Sequence, residues 1–289
     1  MGIHNIPDLY RSDDIIYHYT NTKVALLHIL PDKTLRLSPR NTSNDPIENT
    51  GLFYSFSGGK DVDGTVYESV AYEIKNEVKS EVDRAKQLCL CKNHKMENEQ
   101  GIRYLPFEKY GFAKPRMWDQ YGDHYQGVCL ALSKTELIKY ADSKSIMPRD
   151  IEYITYNDFE TRHRSLDITR LKSIGRDAYQ NEYAEFIRTR LCQKHKDYVG
   201  ENEFRFISFA KGSYEYINIQ NALKGVIMTD LGLNRKLFHA MQDELSPYED
   251  VHFSIMSFSE SGVSIKDTIN HFEPSESVKK VFEELQRNN

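Results

Sequence analysis

Apolar and polar positions in the first part of the chain predict two short strands and two helices. Residues 15–18 form an apolar run that predicts a strand, and residues 35–38 alternate as a second one. Between them a helix is predicted at about residues 22–30, with Asn21 as its N-cap. From about residue 66 to residue 88, apolar side chains recur at helical spacing among many charges. That spacing predicts a long amphipathic surface helix.

The rest of the chain alternates between predicted helices and strands. Residues 128–132 read as a buried strand, after which Ser133 and Glu136 form a capping box that starts a helix. A largely helical stretch is expected from Asp158 to about Lys194, with a break near Gly175. Further strands are predicted at residues 151–156, 203–209, 214–219, 225–229 and 251–258. A helix capped by Asn234 is predicted to run to about Leu245, and another to start at about residue 275. Helices thus separate two groups of strands, and the predicted class is α+β.

Length and composition favour one soluble domain. The 289 residues are 39% hydrophobic, which suffices for a single large core over residues 1–289. An insertion or lid is expected at about residues 92–115. No apolar run approaches the roughly 20 residues of a membrane helix, and the first residues lack the pattern of a secretion signal. We therefore expect a cytoplasmic protein with no membrane partner and with reduced cysteines.

Charge and aromatic content narrow the choice of partners only slightly. The net charge is −5 with acids and bases interspersed, which disfavours a dedicated nucleic-acid binder. Aromatic residues make up 12% of the chain, including 19 tyrosines. Such richness suits planar ligands, but it suits an ordinary core better.

A first candidate for chemistry lies at the end of the opening strand. The segment reads Tyr17-His18-Tyr19-Thr20. A histidine at a strand edge can donate and accept hydrogen bonds where ligands commonly bind. A lone strand histidine is more often structural, so His18 by itself is a weak signal.

A second candidate precedes the strand at residues 128–132, in a segment from Trp118 to Tyr125 for which a short helix or turn is predicted. It contains Trp118, the only tryptophan of the chain, and Tyr121 among several hydrogen-bonding groups. These rings could form a flat apolar wall for a planar ligand. Alternatively, Trp118 fills the core under a turn, and the sequence does not choose between the two.

The third candidate is a pair of carboxylates, Glu201 and Glu203, at the start of a strand. Side chains two residues apart on a strand point the same way, so both can enter one cleft. By the same alternation, the opposite side of the strand from Glu203, Arg205 and Ile207 carries Phe204, Phe206 and Ser208. Paired carboxylates suit chemistry that passes through a cationic sugar, whose positive charge they stabilise. The alternative is a solvated edge on which Glu203 pairs with Arg205, worth less than about 1 kcal/mol when exposed.

The sequence gives little support for a metal site or for the common nucleotide-binding motifs. Cys89, Cys91 and His94 have an unusual spacing for zinc and no clear fourth ligand, so no metal is expected. The phosphate-loop and dinucleotide-binding glycine patterns are also missing from the sequence.

Taken together and in order, these segments resemble the bacterial Domain of Unknown Function 2971 family. The resemblance spans about residues 15–260. Its opening motifs are Ile16-Tyr17-His18-Tyr19-Thr20, Leu35-Arg36-Leu37-Ser38 and Asn44-Asp45-Pro46-Ile47-Glu48, and its later ones are Met117-Trp118-x-x-Tyr121, Gly127-Val128-Cys129-Leu130, Lys194-His195 and Glu201-x-Glu203-x-Arg205. The chain departs from that family at Cys89-Leu90-Cys91, where Cys-Phe-Ser is usual. It also lacks a tryptophan just before the Glu-x-Glu, where Tyr198 is the nearest aromatic residue.

That family in turn resembles ADP-ribosyltransferases of the His-Tyr-Glu type, which implies a split mixed β-sheet core with flanking helices. The resemblance implies that NAD is a substrate, with Glu203 and Glu201 catalytic. It also implies a cofactor-binding set of His18, Tyr19, Thr20, Tyr121, Trp118, Asn44 and Asp45. The expected activity is transfer of ADP-ribose to an unidentified protein, nucleic acid or small molecule, or to water, in the setting of a bacterial toxin or an anti-phage effector.

Two other classes of function stay open at the level of sequence. One is a module that binds NAD or ADP-ribose without cleaving it. The other is a metal-dependent nuclease effector, although no tight cluster of carboxylates and lysine stands out in the sequence. Release of nicotinamide distinguishes the transferase from both.

Overall fold

A computed structural model describes residues 6–42, 56–57, 64–94, 107–161, 165–259 and 262–267. Their strands are β1 (Ile15–Thr20), β2 (Thr34–Pro39), β3 (Phe56–Ser57), β4 (Lys86–Lys92), β5 (Val128–Ser133), β6 (Met147–Asp150), β7 (Glu152–Ile154), β8 (Leu166–Asp167), β9 (Gln193–His195), β10 (Glu203–Ser208), β11 (Glu215–Asn218), β12 (Leu223–Thr229), β13 (His252–Ser259) and β14 (Gly262–Asp267). The α-helices are α1 (Asp8–Arg11), α2 (Thr22–Val24), α3 (Leu30–Asp32), α4 (Gly64–Asp83), α5 (Pro115–Gln120), α6 (Lys134–Ser143), α7 (Tyr156–Thr161), α8 (Ile168–Ile174), α9 (Arg176–Arg190) and α10 (Arg235–Leu245). A π-helical turn, Ala25–Ile29, joins α2 to α3, and a 3₁₀ segment, Lys196–Glu201, precedes β10.

Ten of these strands form one large mixed sheet. Its main path runs β11-β2-β4-β1-β5-β12-β13-β14, and β10 pairs with β4 on one side and with β6 on the other. Only β12 and β13 run parallel within it, and its other pairings are antiparallel. With helices on both sides of this sheet, the described part of the chain has a mixed α and β architecture.

The sheet splits where β4 meets its two neighbours on one edge. Strand β1 pairs with β4 only at Ile16 and Tyr17, and β2 pairs with it only at Ser38 and Pro39. Residues 88–90 of β4 face neither strand in the ladder, because β1 and β2 diverge from that edge. The opposite edge of β4 is paired continuously with β10. A cleft therefore opens between β1 and β2, with the middle of β4 at its base.

Three apolar clusters hold the helices on the sheet. The largest covers one face and joins residues of β4, β5, β10 and β12 to α6 and α10. A second, rich in aromatic rings, lies behind β1 and includes Tyr17, Phe112 and Trp118. The third packs α4, α8 and α9 against Ile207 of β10. Side-chain caps fix several helix starts; for example, Ser133 Oγ accepts from Glu136 N–H and Asn234 Oδ1 accepts from Leu237 N–H.

Several predicted elements need correction. The helix predicted at residues 66–88 ends at Asp83, and the chain then enters β4, so Cys89 and Cys91 lie on a central strand. The predicted helical stretch from Asp158 contains the short strands β8 and β9, with the expected break at Gly175. Burial between strands overrides the helical spacing at Leu88, whose side chain packs in the largest cluster. The helix predicted from residue 275 lies outside the described residues.

Across the described ranges, no helix combines the length and the apolar character that a membrane span requires.

Candidate functional site

A cavity of about 260 Å³ occupies the split between β1 and β2. It is lined by Tyr17, His18, Tyr19, Arg36, Ser38, Pro39, Thr42, Gln87, Leu88, Cys89, Leu90, Cys91, Met117, Tyr121, Lys194, Glu201 and Glu203. Segments far apart in the chain thus meet beside residues 88–90 of β4, which pair with β10 but with neither β1 nor β2. Five predicted site residues line it, namely His18, Tyr19, Tyr121, Glu201 and Glu203.

His18 stands on the wall formed by β1. Its Nδ1 lies 3.3 Å from the carbonyl oxygen of Cys89, on the stretch of β4 that pairs with β10 but with neither β1 nor β2. A carbonyl only accepts, so Nδ1 carries the hydrogen and the neutral ring has its free acceptor at Nε2. Burial lowers the pKa of His18, which favours this neutral form at pH 7. The His18 ring thus donates to a carbonyl of β4 where a neighbouring strand would otherwise do so, and its Nε2 can still accept a hydrogen bond from a ligand.

Tyr19, Thr20 and Trp118 lie at or behind this wall. Tyr19 lines the cavity, and its hydroxyl donates to Gly111 O at 2.7 Å. Trp118 is fully buried behind Tyr19, edge-on to its ring, and its indole N–H donates to Phe112 O at 2.8 Å. Neither Trp118 nor Thr20 lines the cavity. Of the two alternatives for Trp118, the structure shows the core position.

Tyr121 projects from the end of α5 into the cavity lining. It is 38% exposed, unlike the buried tyrosines of β1. Burial of its hydroxyl, with a further contribution from the charge of Glu201, raises the pKa of Tyr121 to about 12. The ring therefore remains a neutral phenol at physiological pH and offers a flat surface to a ligand.

Glu203 is a buried carboxylate that stays ionised. Both of its oxygens accept from Arg205, with Nη2 to Oε2 at 3.0 Å and Nε to Oε1, and Lys194 Nζ lies 3.3 Å from Oε2. Burial by itself raises the pKa of Glu203, but the charges and hydrogen bonds of Arg205 and Lys194 outweigh it and hold the pKa at about 2. The exposed Glu–Arg pair that the sequence allowed is wrong, because Glu203 and Arg205 are 3% and 1% exposed.

Glu201 is a second buried carboxylate with a different electrostatic balance. Its Oε2 accepts from Lys194 Nζ at 2.7 Å, while its Oε1 is buried without a hydrogen-bond partner in the described structure. Nη2 of Arg116 lies 3.9 Å from Oε1. Burial raises the pKa of Glu201 and the charge of Lys194 only partly offsets that rise. Two carboxylates thus share one lysine, one firmly ionised and the other closer to taking up a proton.

Asn202 explains how both carboxylates reach the same lysine. It has left-handed backbone angles, with φ at 46°, between the 3₁₀ segment and β10. Asparagine tolerates this region better than most residues, and its side chain is held here by Asn93 O at 2.8 Å. The turn at Asn202, rather than strand alternation alone, brings Glu201 and Glu203 together.

Sequence reasoning missed some of the groups that define the site. Lys194 entered only as part of a motif, yet it joins the two carboxylates. Arg36 and Gln87 were not singled out, although both line the cavity. Only tertiary proximity identifies these residues, because ordinary polar positions on strands carry no distinguishing spacing.

Some predicted features are tested little or not at all. Asn44 and Asp45 lie outside the described residues. Of the insertion or lid predicted at about residues 92–115, the described portion includes Tyr110 and Phe112, which are buried in the aromatic cluster. Within the ranges that the structure describes, no three His, Cys, Asp or Glu side chains are grouped to hold a metal ion.

Comparison with known proteins gives one match. Residues 117–206, about a third of the chain, match the family described as "Protein of unknown function (DUF2971)". The matched segment runs from α5 to β10 and contains Tyr121, Lys194, Glu201 and Glu203, whereas His18 precedes it. No curated protein and no solved structure matches the chain.

Proposed function

We propose that the protein is an ADP-ribosyltransferase that consumes NAD and releases nicotinamide. The observation that carries this proposal is the meeting of His18, Tyr121 and Glu203 around one cavity in the split of the sheet. These three residues come from the three segments that resemble the His-Tyr-Glu transferases. Their chemistry also fits the nicotinamide ribose of NAD. His18 can accept a hydrogen bond from the ribose, Tyr121 offers a flat ring to the nicotinamide, and the Glu203 carboxylate can stabilise positive charge.

In this proposal the nicotinamide ribose enters the cavity. Tyr121 stacks on the nicotinamide ring. His18 Nε2 accepts a hydrogen bond from a ribose hydroxyl, and the Glu203 carboxylate accepts one from the 2′-hydroxyl of that ribose. The bond from C1′ to the nicotinamide nitrogen breaks, and its electron pair leaves with neutral nicotinamide. The acceptor then attacks C1′ and loses its proton, which we assign to Glu201.

Electrostatics supports a role for each carboxylate. A cationic leaving group needs no strong general acid, so the main requirement is negative charge close to the developing oxocarbenium ion. Glu203 is ionised throughout the physiological range because its pKa is about 2. The raised pKa of Glu201 and its unpartnered Oε1 suit a group that accepts a proton.

One observation favours a second candidate, a module that binds NAD or ADP-ribose without cleaving it. Arg205 contacts both oxygens of Glu203, and Lys194 contacts one of them. Two cations around one buried carboxylate cancel much of the field that would stabilise an oxocarbenium ion. Such a site can still bind ribose hydroxyls, so binding and cleavage must be measured separately.

The decisive experiment measures nicotinamide release from NAD by the purified chain, together with NAD binding by calorimetry. Glu203→Gln is expected to reduce release at least about 100-fold, as is typical when a group that stabilises transition-state charge is lost. Glu185→Gln is the control for an exposed glutamate, because Glu185 lies on α9 and its carboxylate pairs with Arg188; thermal melting of both variants separates lost release from lost folding. Adding cell lysate to a second series tests for a macromolecular acceptor.

The outcomes separate the two candidates. Release that requires Glu203 supports the transferase, and its stimulation by lysate points to a protein or nucleic-acid acceptor. Tight binding without release supports the binding module. A chain that neither binds nor cleaves NAD contradicts both candidates. For an active transferase, the proposed setting is a bacterial toxin or anti-phage effector, in which NAD or a cellular acceptor is the target.

A further inference from the structure

Two exposed tyrosines, Tyr214 and Tyr216, lie next to Arg36, a residue of the cavity wall. Arg36 of β2 lines the cavity, and β11 pairs with β2 so that Tyr216 lies directly opposite Arg36. The ring centre of Tyr214 lies 4.5 Å from the guanidinium carbon of Arg36. Tyr214 and Tyr216 are 48% and 50% exposed. We call Arg36, Tyr214 and Tyr216 the outer shelf.

Strand alternation puts the outer shelf on one face of the sheet. The neighbouring side chains Leu35, Leu37 and Ile217 are buried in the largest apolar cluster on the opposite face. Arg36 and Tyr216 must therefore point away from that core. About half of each of the two tyrosine side chains is exposed, so packing in the core does not explain why Tyr214 and Tyr216 lie beside Arg36.

The charge of Arg36 is available to a ligand. Its guanidinium carbon lies over the Tyr214 ring, and no ion pair among the described residues joins Arg36 to a carboxylate. Contact with an aromatic ring does not use the N–H donors of a guanidinium, which can then bind a phosphate. Going outward from Glu201 and Glu203, a ligand would thus meet the cation of Arg36 and then the two tyrosine rings of the outer shelf.

We propose that the outer shelf is the subsite for the pyrophosphate and the adenine of NAD. This inference rests on the proposed function, in which the nicotinamide ribose occupies the cavity. Going outward from that ribose, a dinucleotide presents two phosphates and then a planar base. A guanidinium followed by aromatic rings matches this order, because bases stack on exposed aromatic side chains and phosphates pair with arginine.

The test compares two ligands of different length on the Glu203→Gln background, which prevents turnover. NAD spans the cavity and the shelf, whereas nicotinamide mononucleotide reaches only the cavity and its rim. Tyr216→Ala is expected to weaken NAD about tenfold, the loss typical of one stacked base, while nicotinamide mononucleotide binding stays within about twofold. Tyr216→Phe is expected to retain NAD affinity, because stacking does not need the hydroxyl.

Tyr72→Ala serves as the matched control. Tyr72 is also 50% exposed and lies near a cation, Lys75, but it is on α4 and does not line the cavity. Equal NAD affinity for Tyr216→Ala and Tyr72→Ala would overturn the outer shelf while leaving the proposed function intact. An equal loss for both ligands would also overturn it, because the tyrosine would then act through the cavity. Absence of NAD binding in every form, including the unmodified chain, would overturn the proposed function and the shelf together.

Discussion

At the scale of single residues, the buried pair of Glu203 and Arg205 shows how far the sequence leads. Alternation along β10 correctly predicted that Glu203, Arg205 and Ile207 face away from Phe204 and Phe206, which pack in the largest cluster. It could not predict that the pair is buried, because burial depends on α9, β4 and the segment before β10. A pair expected to contribute little at a solvated edge instead lies inside the protein, where loss of one partner is costly.

Removing the arginine from this pair should destabilise the protein strongly. Arg205→Met is expected to lower the free energy of unfolding by about 3–5 kcal/mol, because it leaves the Glu203 carboxylate buried with Lys194 as its remaining cation. Denaturant unfolding followed by circular dichroism measures the change. In the double variant Arg205→Met/Glu203→Gln much of the loss should be recovered, since no unpaired carboxylate stays buried. Simple additivity of the two single changes would contradict this account.

At the scale of elements, the turn before β5 positions α5 relative to β1. Asp123, His124 and Tyr125 have consecutive left-handed φ values of 49°, 50° and 68°. The turn is closed by a hydrogen bond from Gly127 N–H to Gly122 O at 2.7 Å. Sequence patterns indicated a short helix or turn here. They did not indicate this backbone, because neither aspartate, histidine nor tyrosine requires such angles.

Gly127 is the residue on which this turn depends. A Cβ there would lie 2.4 Å from Thr20 O and 2.7 Å from the backbone carbon of Gly122, so a strand or the turn must shift. Gly127→Ala is expected to cost about 1–3 kcal/mol of stability, as overpacking typically does. Gly200→Ala is the control, since a Cβ at that position meets no atom within 4 Å. Equal melting temperatures for the two variants would show that the turn adapts without cost.

At the scale of the whole molecule, histidines held neutral in the fold make stability depend on pH. Burial, followed by the charges of Lys114, Lys109 and Lys92, lowers the pKa of His94 to about 4. In the unfolded chain this histidine titrates near about 6.5. Below that pH the unfolded chain binds a proton that the folded chain does not. The free energy of unfolding therefore falls as pH decreases from about 6.5 towards about 4.

His94→Gln should reduce this dependence. Glutamine can still accept the hydrogen bond that Lys114 Nζ makes with His94 Nε2 at 3.1 Å, but it does not titrate. The slope of unfolding free energy against pH between about 4 and 6.5 should become shallower than in the unmodified chain. Denaturant titrations across that range measure it. His124 has a raised pKa through Asp119 and acts in the opposite direction, so only the difference between the two chains is informative. Parallel curves would refute the role assigned to His94.

By itself the sequence determined those features of this protein that depend only on residues close together in the chain, such as helix caps and the facing of a strand. Side-chain caps at Asn21, Ser133 and Asn234 were predicted correctly because a cap involves residues only two or three positions apart. The facing of β10 followed from the period of a strand in the same way. In contrast, the predicted helix was extended to Leu88, so the start of β4 was missed. An apolar residue such as Leu88 fits both a helical pattern and a central strand.

Only the tertiary structure decided where the site is and how it is charged. The split of the sheet arises from β1 and β2 diverging on the same edge of β4, a relation among three strands that are distant in sequence. The sharing of Lys194 by two carboxylates and the position of Trp118 in the core depend on the same long-range packing. Burial and charge act through space, so the pKa values of Glu201 and Glu203 diverge although the two residues are almost adjacent in the chain.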